Sequence, residues 1–565
     1  MMDFLTKILK LYAVLFLLIA SSADILSQSY NSTSSKAIKY FDKARQDLLN
    51  ENYDDAMYNV NKALKIDAGF VDAYLLKAEL CVELNDDSQA LKSYENVFEL
   101  DSMAFPGSAV SLSKLYMKYY EYDKSIVLLN WYLSKDNRNE ALRAVAEQQM
   151  VLAKFRKSLY ENPVEYDPKN IGDVVNTSSD EYVNQYYVNE DKLIYTKRYK
   201  TETKSYLEEN VFVTTSYDSI WSYPCLLFEE YEDVGAACVS SDGNEIYFSA
   251  SNWSDGFGSC DVYCVIFKDG KWSRPENIKA INTSEWESQP CISYDGKELY
   301  FVRRNRRLAT SDIYVSMRDH DGTWMKPTKL NHNINTDGNE MAPFIYYDGK
   351  TLYFSSDTHP GMGGYDLFVS TRVSDNEWSE PRNMGFPLNS CGDEINIVIA
   401  NDAQNAYISA VRDEGYGAYD IYEFEIDEAF RPDAVEIDVA IDEDFYASVL
   451  DKQKSVVLKN IYFEFDSAEL TKDSGDGIDM LFNLMSSNED MRILLEGHTD
   501  DMGDAEYNVE LSKKRAEAVK SALVNKGVAE VRIETHGCGA VSPIVPNDGD
   551  ENRKLNRRVE MRLIK

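Results

Sequence analysis

Tyr247, Tyr300 and Tyr353 stand 53 residues apart, each inside a near-copy of one phrase: "SDGNEIYFSA", "YDGKELYFVR" and "YDGKTLYFSS". This period constrains the chain more than any single motif, because repeated segments adopt repeated structure and bury it against their own copies. Tyr195 in "DKLIYTKR" and Tyr407 in "NAYISA" extend the series. The phrases "CDVYCV", "SDIYVS", "YDLFVS" and "YDIYEF" supply a further strand in the later copies. Trp272, Trp324 and Trp378 then introduce "WSRP", "WMKP" and "WSEP", with "WSYP" at Trp221 and "FRP" at 430–432 as the outer copies. Asp-Gly between alternating apolar residues marks hairpins, and a unit of this length holds about four short strands.

The stretch from about residue 170 to 432 resembles the WD-type β-propeller repeats of bacterial envelope proteins. That resemblance implies five blades, or six if flanking strands supply another. Residues recurring in every copy are expected to serve the copy itself, the aspartate closing a turn and the aromatics filling space between blades. A ligand would be held by residues that do not recur, and "RRNRRLATSD" at 303–312 is the basic cluster that stands out.

A shorter period precedes this one. "NYDDAMYNVNKAL", "NDDSQALKSYENVF" and "EYDKSIVLLNWYL" each pass from a polar turn into an amphipathic helix, and Ala56, Ala90 and Ser125 align them at offsets of 34 and 35. Small residues recur twelve positions earlier, at Ala44, Ala78 and Ser113, where two helices of a hairpin must approach closely. Residues 36–160 resemble tetratricopeptide repeats, which implies a protein-docking scaffold.

Lys7 and Lys10 precede an apolar run from Leu11 to Ala20 and the small residues "ASSA", which reads as a secretory signal over residues 1–23. The run is short for a membrane span, and no later stretch offers the roughly 20 apolar residues that spanning needs. With no cysteine before Cys81, a lipid-accepting cysteine is not expected near the leader. A net charge of −37 over 565 residues argues against nucleic acid or an anionic membrane as partner. The eight cysteines are scattered without metal spacing, and Cys260 with Cys264 reads either as a disulfide or as two buried thiols.

After an acidic linker over residues 433–455, the pattern becomes strand, helix, strand, helix, strand, strand, an α/β sandwich. "FEFDSAEL", "LEGHTDDMG", "YNVELSKKRAEAV" and "NRRVEMRL" follow one another across residues 456–565. In this order and spacing they are similar to the OmpA-type peptidoglycan-binding domain. The fold expected for the whole chain is therefore multidomain: all-α tetratricopeptide-like repeats, an all-β propeller, and an α/β sandwich of OmpA C-terminal type.

The helix after "GHTDD" carries a charge where its apolar stripe should continue: Leu511, Arg515, Val519, Ala522 and Leu523 share one face. The family resemblance implies recognition of diaminopimelate in the peptide stem of the cell wall, with Asp500 matching the aspartate of "GHTD" and Arg515 the arginine of "LSxxRA". Diaminopimelate presents an ammonium and a carboxylate on one carbon, which suits one fixed anion and one two-pronged cation. Asp466, Ser467 and Asn508 are supporting candidates, as are the free N–H groups of the helix start near Asp504. The bland alternative is an internal ion pair between Asp500 and Arg515. Arg515→Leu separates the two, because leucine would complete the stripe and leave stability unchanged or higher if the arginine serves only a ligand.

An enzyme would have to use His498 with Asp500, or His498 with His536 around a metal. The sequence contains no HExxH, GxSxG or P-loop to support either, and no cofactor is expected. The module order resembles the peptidoglycan-associated component of the Bacteroidetes type IX secretion system. It implies a periplasmic adaptor near the outer membrane, with peptidoglycan as one partner. Envelope or secretion-system proteins would be others, held by the helical repeats and the propeller. A carbohydrate- or protein-binding propeller merely tethered by its last domain is the alternative.

Overall fold

The computed structural model describes residues 30–435 and 456–564, apart from 136–138, 188–191, 202–203, 218–219, 269–270, 376, 434, 459–460, 462, 464–466, 472–473 and 488–490. The leader reading, most of the linker and Asp466 lie outside the described residues. The chain forms two compact units.

The first unit contains the helices up to Tyr166 and two later segments, Ser356–Asp366 and Asn383–Asp393. Its helices are α1 (Ser35–Leu49), α2 (Tyr53–Ile66), α3 (Val71–Glu83), α4 (Asp87–Asp101), α5 (Ser108–Lys118), α6 (Tyr122–Leu133) and α7 (Glu140–Glu161). The Ser34 side chain caps α1 and that of Asp86 caps α4, each accepting a backbone N–H three residues on. Each of the first three hairpins turns through a left-handed residue, Glu51 (φ 60°), Asn85 (φ 57°) or Tyr120 (φ 61°), so the turn repeats at the sequence period. Ala44, Ala78 and Ser113 are fully buried, as close helix crossings require. Met362 and Phe386 pack against this core, and Arg156 of α7 donates to the Gly361 and Gly363 carbonyls at 2.8 and 3.1 Å.

The second unit begins with the two-residue strand β1 (Lys169–Asn170) and continues as antiparallel meanders. The first is β2 (Asp180–Tyr187), β3 (Lys192–Lys200) and β4 (Leu207–Tyr217), and the second is β5 (Val234–Val239), β6 (Glu245–Ser251) and β7 (Cys260–Lys268). The third is β8 (Trp286–Ile292), β9 (Glu298–Asn305) and β10 (Thr310–Met317), and the fourth is β11 (Glu340–Ile345), β12 (Thr351–Ser356) and β13 (Asp366–Ser374). The fifth is β14 (Glu394–Ile399), β15 (Asn405–Ala410) and β16 (Asp420–Glu425). A single bridge from Trp286 to Cys260 joins the second and third into one nine-stranded open sheet.

The recurring residues do structural work. Asp295 accepts from Ser293 Oγ and Lys297 N around Gly296, which holds φ at +69°. Glu245 and Tyr247 both receive Arg318 from the next meander, and that guanidinium lies 4.4 Å from the Trp324 ring centroid. Glu298, Tyr300, Arg372 and Trp378 repeat the arrangement one period later.

A motif that the sequence reading missed recurs as Asn-Thr/Ser-x3-Glu at Asn176–Glu181, Asn282–Glu287, Asn335–Glu340 and Asn389–Glu394. All four glutamates are fully buried at the starts of first strands. Thr177, Thr283 and Thr336 each donate a hydroxyl and a backbone N–H to the glutamate of their own copy. Asn282 bonds both backbone groups of Val262, and Asn335 both of Ile313, in each case on the last strand of the preceding meander. Asn176, near the start of the second unit, does the same to Ile421 near its fifth meander's end, where β1 also pairs with β16.

Among the cysteines, Cys260 and Cys264 are both buried free thiols, so the disulfide alternative does not hold. Of the basic cluster, Arg303 is committed to Glu287 at 2.6 Å, while Arg304, Arg306 and Arg307 are exposed at the β9–β10 turn.

The last domain has a four-stranded sheet of β17 (Val456–Val457), β18 (Arg492–His498), β19 (Ile533–Gly539) and β20 (Val559–Ile564), in the order β17-β20-β18-β19. Only β18 and β19 run parallel. Helices α8 (Gly475–Ser487) and α9 (Ala505–Lys526) supply its apolar cover, with Ile478, Leu481, Val519 and Leu523 meeting Ile493, Leu495 and Ile533. A short third helix, α10 (Asp550–Asn556), precedes β20. The strand that opens the domain forms a ladder with β20 at Val456–Val457 among the described residues.

Candidate functional site

The end of β18 and the first turns of α9 are held unusually close. A Cβ on Gly497 would sit 1.9 Å from the Ser512 carbonyl oxygen, and one on Gly537 would sit 2.4 Å from that of Val509. Both clashes are with helix backbone, which cannot step aside, so glycine is required at these two points. Ser512 Oγ fastens the same junction by accepting from Gly539 N at 2.9 Å. The loop 499–504 is thereby pressed against α9.

Asp500 leads that loop and is 6 % exposed. Its Oδ1 accepts from Met502 N at 3.0 Å, and its Oδ2 accepts from Arg557 Nη1 at 2.6 Å. Asn508, buried on α9, donates to the Met502 carbonyl at 3.0 Å and fixes the loop from below. Asp504 caps α9 by accepting from Tyr507 N at 2.8 Å, so one of the helix-start N–H groups is already engaged.

Arg515 is 1 % exposed on the helix face beside Ser512, Ala516 and Val519. Its Nε donates to the Ser467 carbonyl at 3.0 Å, its Nη1 reaches the His498 carbonyl at 3.5 Å, and its guanidinium stands 5.2 Å from the Phe463 ring centroid. The arginine ties the first loop of the domain to the end of β18. This corrects the expectation for Arg515→Leu: leucine would complete the stripe but would also strand two backbone acceptors.

The structure thus brings Asp500, Arg515, Ser467 and Asn508 to one corner of the domain. Ser467 enters through its backbone carbonyl, while its hydroxyl accepts from Glu469 N. Asp466 is outside the described residues. The ion pair recorded for Asp500 is with Arg557, a residue the sequence reading did not single out, although it lies in the quoted "NRRVEMRL". The signal was the doubled arginine: Arg557 turns to Asp500, and Arg558 turns to Glu560 and the Ser542 carbonyl.

His498 is buried on the sheet, with Glu560 Oε1 3.7 Å from its Nε2 and no hydrogen bond to either ring nitrogen among the described residues. Burial, and then the Arg558 charge, push its pKa down to about 4, against the opposing pull of Glu560. The ring is neutral at neutral pH, and the carboxylate of Asp500 is engaged elsewhere, so the two do not form an acid–base couple. Among the described residues no group of three or more His, Cys, Asp or Glu side chains is placed to hold a metal ion.

Residues 462–557 match the model of the OmpA family. The peptidoglycan-associated lipoprotein of Pseudomonas aeruginosa is 34 % identical over 116 residues, which are 20 % of this chain and 68 % of the relative. The chain belongs to the OmpA family. Its OmpA domain is also 35 % identical over 111 residues to outer membrane protein A of Bordetella avium, and 34 % identical over 105 residues to the peptidoglycan-associated lipoprotein of Pseudomonas putida. The chain spans 57 % and 63 % of the length of these two relatives, and the matches occupy 20 % and 19 % of the chain. Among the described residues no helix is long and apolar enough to cross a membrane.

Proposed function

We propose that this protein is a non-catalytic periplasmic adaptor that grips peptidoglycan through its OmpA domain and docks envelope proteins through its other modules. The observation that carries the reading is that Arg515 bonds the carbonyl of His498, two residues before Asp500, while Asp500 is itself held by Met502 N and Arg557. A fixed carboxylate beside a fixed guanidinium suits the ammonium and carboxylate of diaminopimelate. The two relatives named as peptidoglycan-associated lipoproteins support the same assignment.

The five meanders are read as blades of one closed propeller. Its support is the equivalence of Asn176 on Ile421 with Asn282 on Val262 and Asn335 on Ile313, which makes the first and fifth meanders neighbours. The helical hairpins, with their repeated turn and small crossing residues, are read as tetratricopeptide-like repeats that dock a protein partner. The module order is the ground for placing the adaptor with a secretion machinery at the outer membrane.

Co-sedimentation with purified sacculi tests the central claim. The full chain and residues 450–565 should both pellet, and Asp500→Asn should leave both in the supernatant. Pelleting by the rest of the chain without the OmpA domain would overturn it.

A further inference from the structure

The first strands of all five meanders, β2, β5, β8, β11 and β14, contribute to one cavity of about 280 Å³. In a chain that is 27 % charged, its lining contains no Asp, Glu, Lys, Arg or His. An ion entering it would lose its hydration and find no counter-charge to replace it. The cavity therefore selects against charged molecules, and its volume suits a ligand of about one ring rather than a polymer.

The strands bulge where they line this space. Register shifts fall after Val183, Gly235, Ser288 and Ile395, and Ala236, Gln289, Ala342 and Asn396 take left-handed backbone conformations with φ between 46° and 55°. The bulge is common to the sheets and belongs to the architecture, but the side chain it presents changes from alanine to glutamine to asparagine. Those amides have spare capacity. Gln289 Oε1 accepts from Ala342 N and Asn184 Oδ1 from Thr196 Oγ1, and among the described residues no acceptor takes the hydrogens of Gln289 Nε2 or Asn184 Nδ2. Asn396 Oδ1 and Asn401 Oδ1 are buried acceptors without a donor among the described residues. Tyr294 and Tyr347, edge to face at 5.9 Å, follow β8 and β11 at one end of the cavity.

Two free donors, two orphaned acceptors and a pair of aromatic rings, with no charge in the lining, describe a receptor for something neutral that both gives and takes hydrogen bonds. We infer that this cavity binds a neutral, hydroxyl- and amide-bearing ligand the size of a single sugar ring. The inference rests on the cavity itself and stands apart from the wall-binding reading of the OmpA domain.

N-acetylglucosamine is the probe, with glucosamine as its ammonium-bearing counterpart, titrated into the full chain by saturation-transfer NMR. N-acetylglucosamine should bind, and glucosamine should bind at least about ten-fold more weakly. Asn396→Gly keeps the left-handed backbone while removing the amide, and should weaken the sugar about ten-fold with an unchanged thermal melt. Tyr294→Ala should do the same. Absence of binding at millimolar sugar, equal binding of the charged analogue, or binding that survives both substitutions in folded protein would each overturn the inference. Sacculus pelleting is expected to be unaffected by either substitution, so failure here and failure of the OmpA-domain assignment are read from different assays.

Discussion

Arg557 Nη1 lies 2.6 Å from Asp500 Oδ2, so the aspartate proposed to meet a ligand ammonium already has a cation beside it. Any ligand ammonium shares that carboxylate with Arg557 or displaces it. Asp500→Asn keeps the Met502 N–H bond and loses both charged interactions. It should cost about 1.5–3 kcal/mol of binding, measured as free diaminopimelate affinity by calorimetry. Arg557→Gln should lower the thermal stability of the domain while leaving diaminopimelate binding detectable. Complete loss of binding in folded Arg557→Gln would make Arg557 the principal ligand contact.

Arg515 gives a second test. Its donors hold the Ser467 and His498 carbonyls, and each buried acceptor left unpaired costs about 1–3 kcal/mol. Arg515→Leu should therefore lower the melting temperature of the OmpA domain and abolish sacculus binding together. Arg515→Lys should melt between the two, since one ammonium cannot reproduce the forked hydrogen bonds. An unchanged melt for the leucine variant would mean that the arginine is free for ligand alone.

His498 predicts a pH profile. Its folded pKa, about 4, lies below the unfolded value of 6.5, so between these limits the unfolded chain binds more protons than the fold does. Stability should fall as pH drops from 6.5 towards 4 and level off below. The groups around it are Arg558 and His536, which oppose its protonation, and Glu560, which favours it. His498→Gln should flatten this part of the profile in thermal melts of residues 450–565. A slope that persists unchanged would place the acid sensitivity elsewhere.

Asn176, Asn282 and Asn335 should behave alike. Each closes a loop onto both backbone groups of one strand residue, and replacement by alanine leaves that residue's N–H unanswered, while its carbonyl keeps a backbone donor from Ile171, Ile278 or Leu330. The expected loss is about 1–3 kcal/mol for each unsatisfied group, read by denaturant unfolding of the full chain. A markedly smaller effect at Asn176 than at the other two would count against closure of the five meanders into a ring.

What was legible in the sequence was whatever a period carries. The tyrosines at a spacing of 53 and the Asp-Gly turns marked the meanders, and the small residues at Ala44, Ala78 and Ser113 marked the helix crossings. The buried Asn-Thr/Ser-x3-Glu motif was equally periodic but hid among polar residues, which are read as surface unless their hydrogen bonds are known. Val234 stands where the second meander lacks the glutamate, and Ala250 pairs with it where Glu287 faces Arg303. At the candidate site the odd arginine in an apolar stripe was visible, but its partners were not. Ser467 offers Arg515 a backbone oxygen, which any residue possesses, and Arg557 reaches Asp500 across 57 residues of chain.

Asn176 finds Ile421 across 245 residues. As the chain emerges, the residue that begins the sheet region must wait for nearly the last strand of that region before its side chain is satisfied. Closing so long a loop is slow in comparison with the local hairpins, which form as soon as they exist. A chain cut short after its first meanders but before Ile421 would contain well-formed hairpins and still leave Asn176, Asn170 and β1 open to water. Such fragments should be the ones that proteases remove, so Asn176 reports whether the last strand of the sheet region has been made.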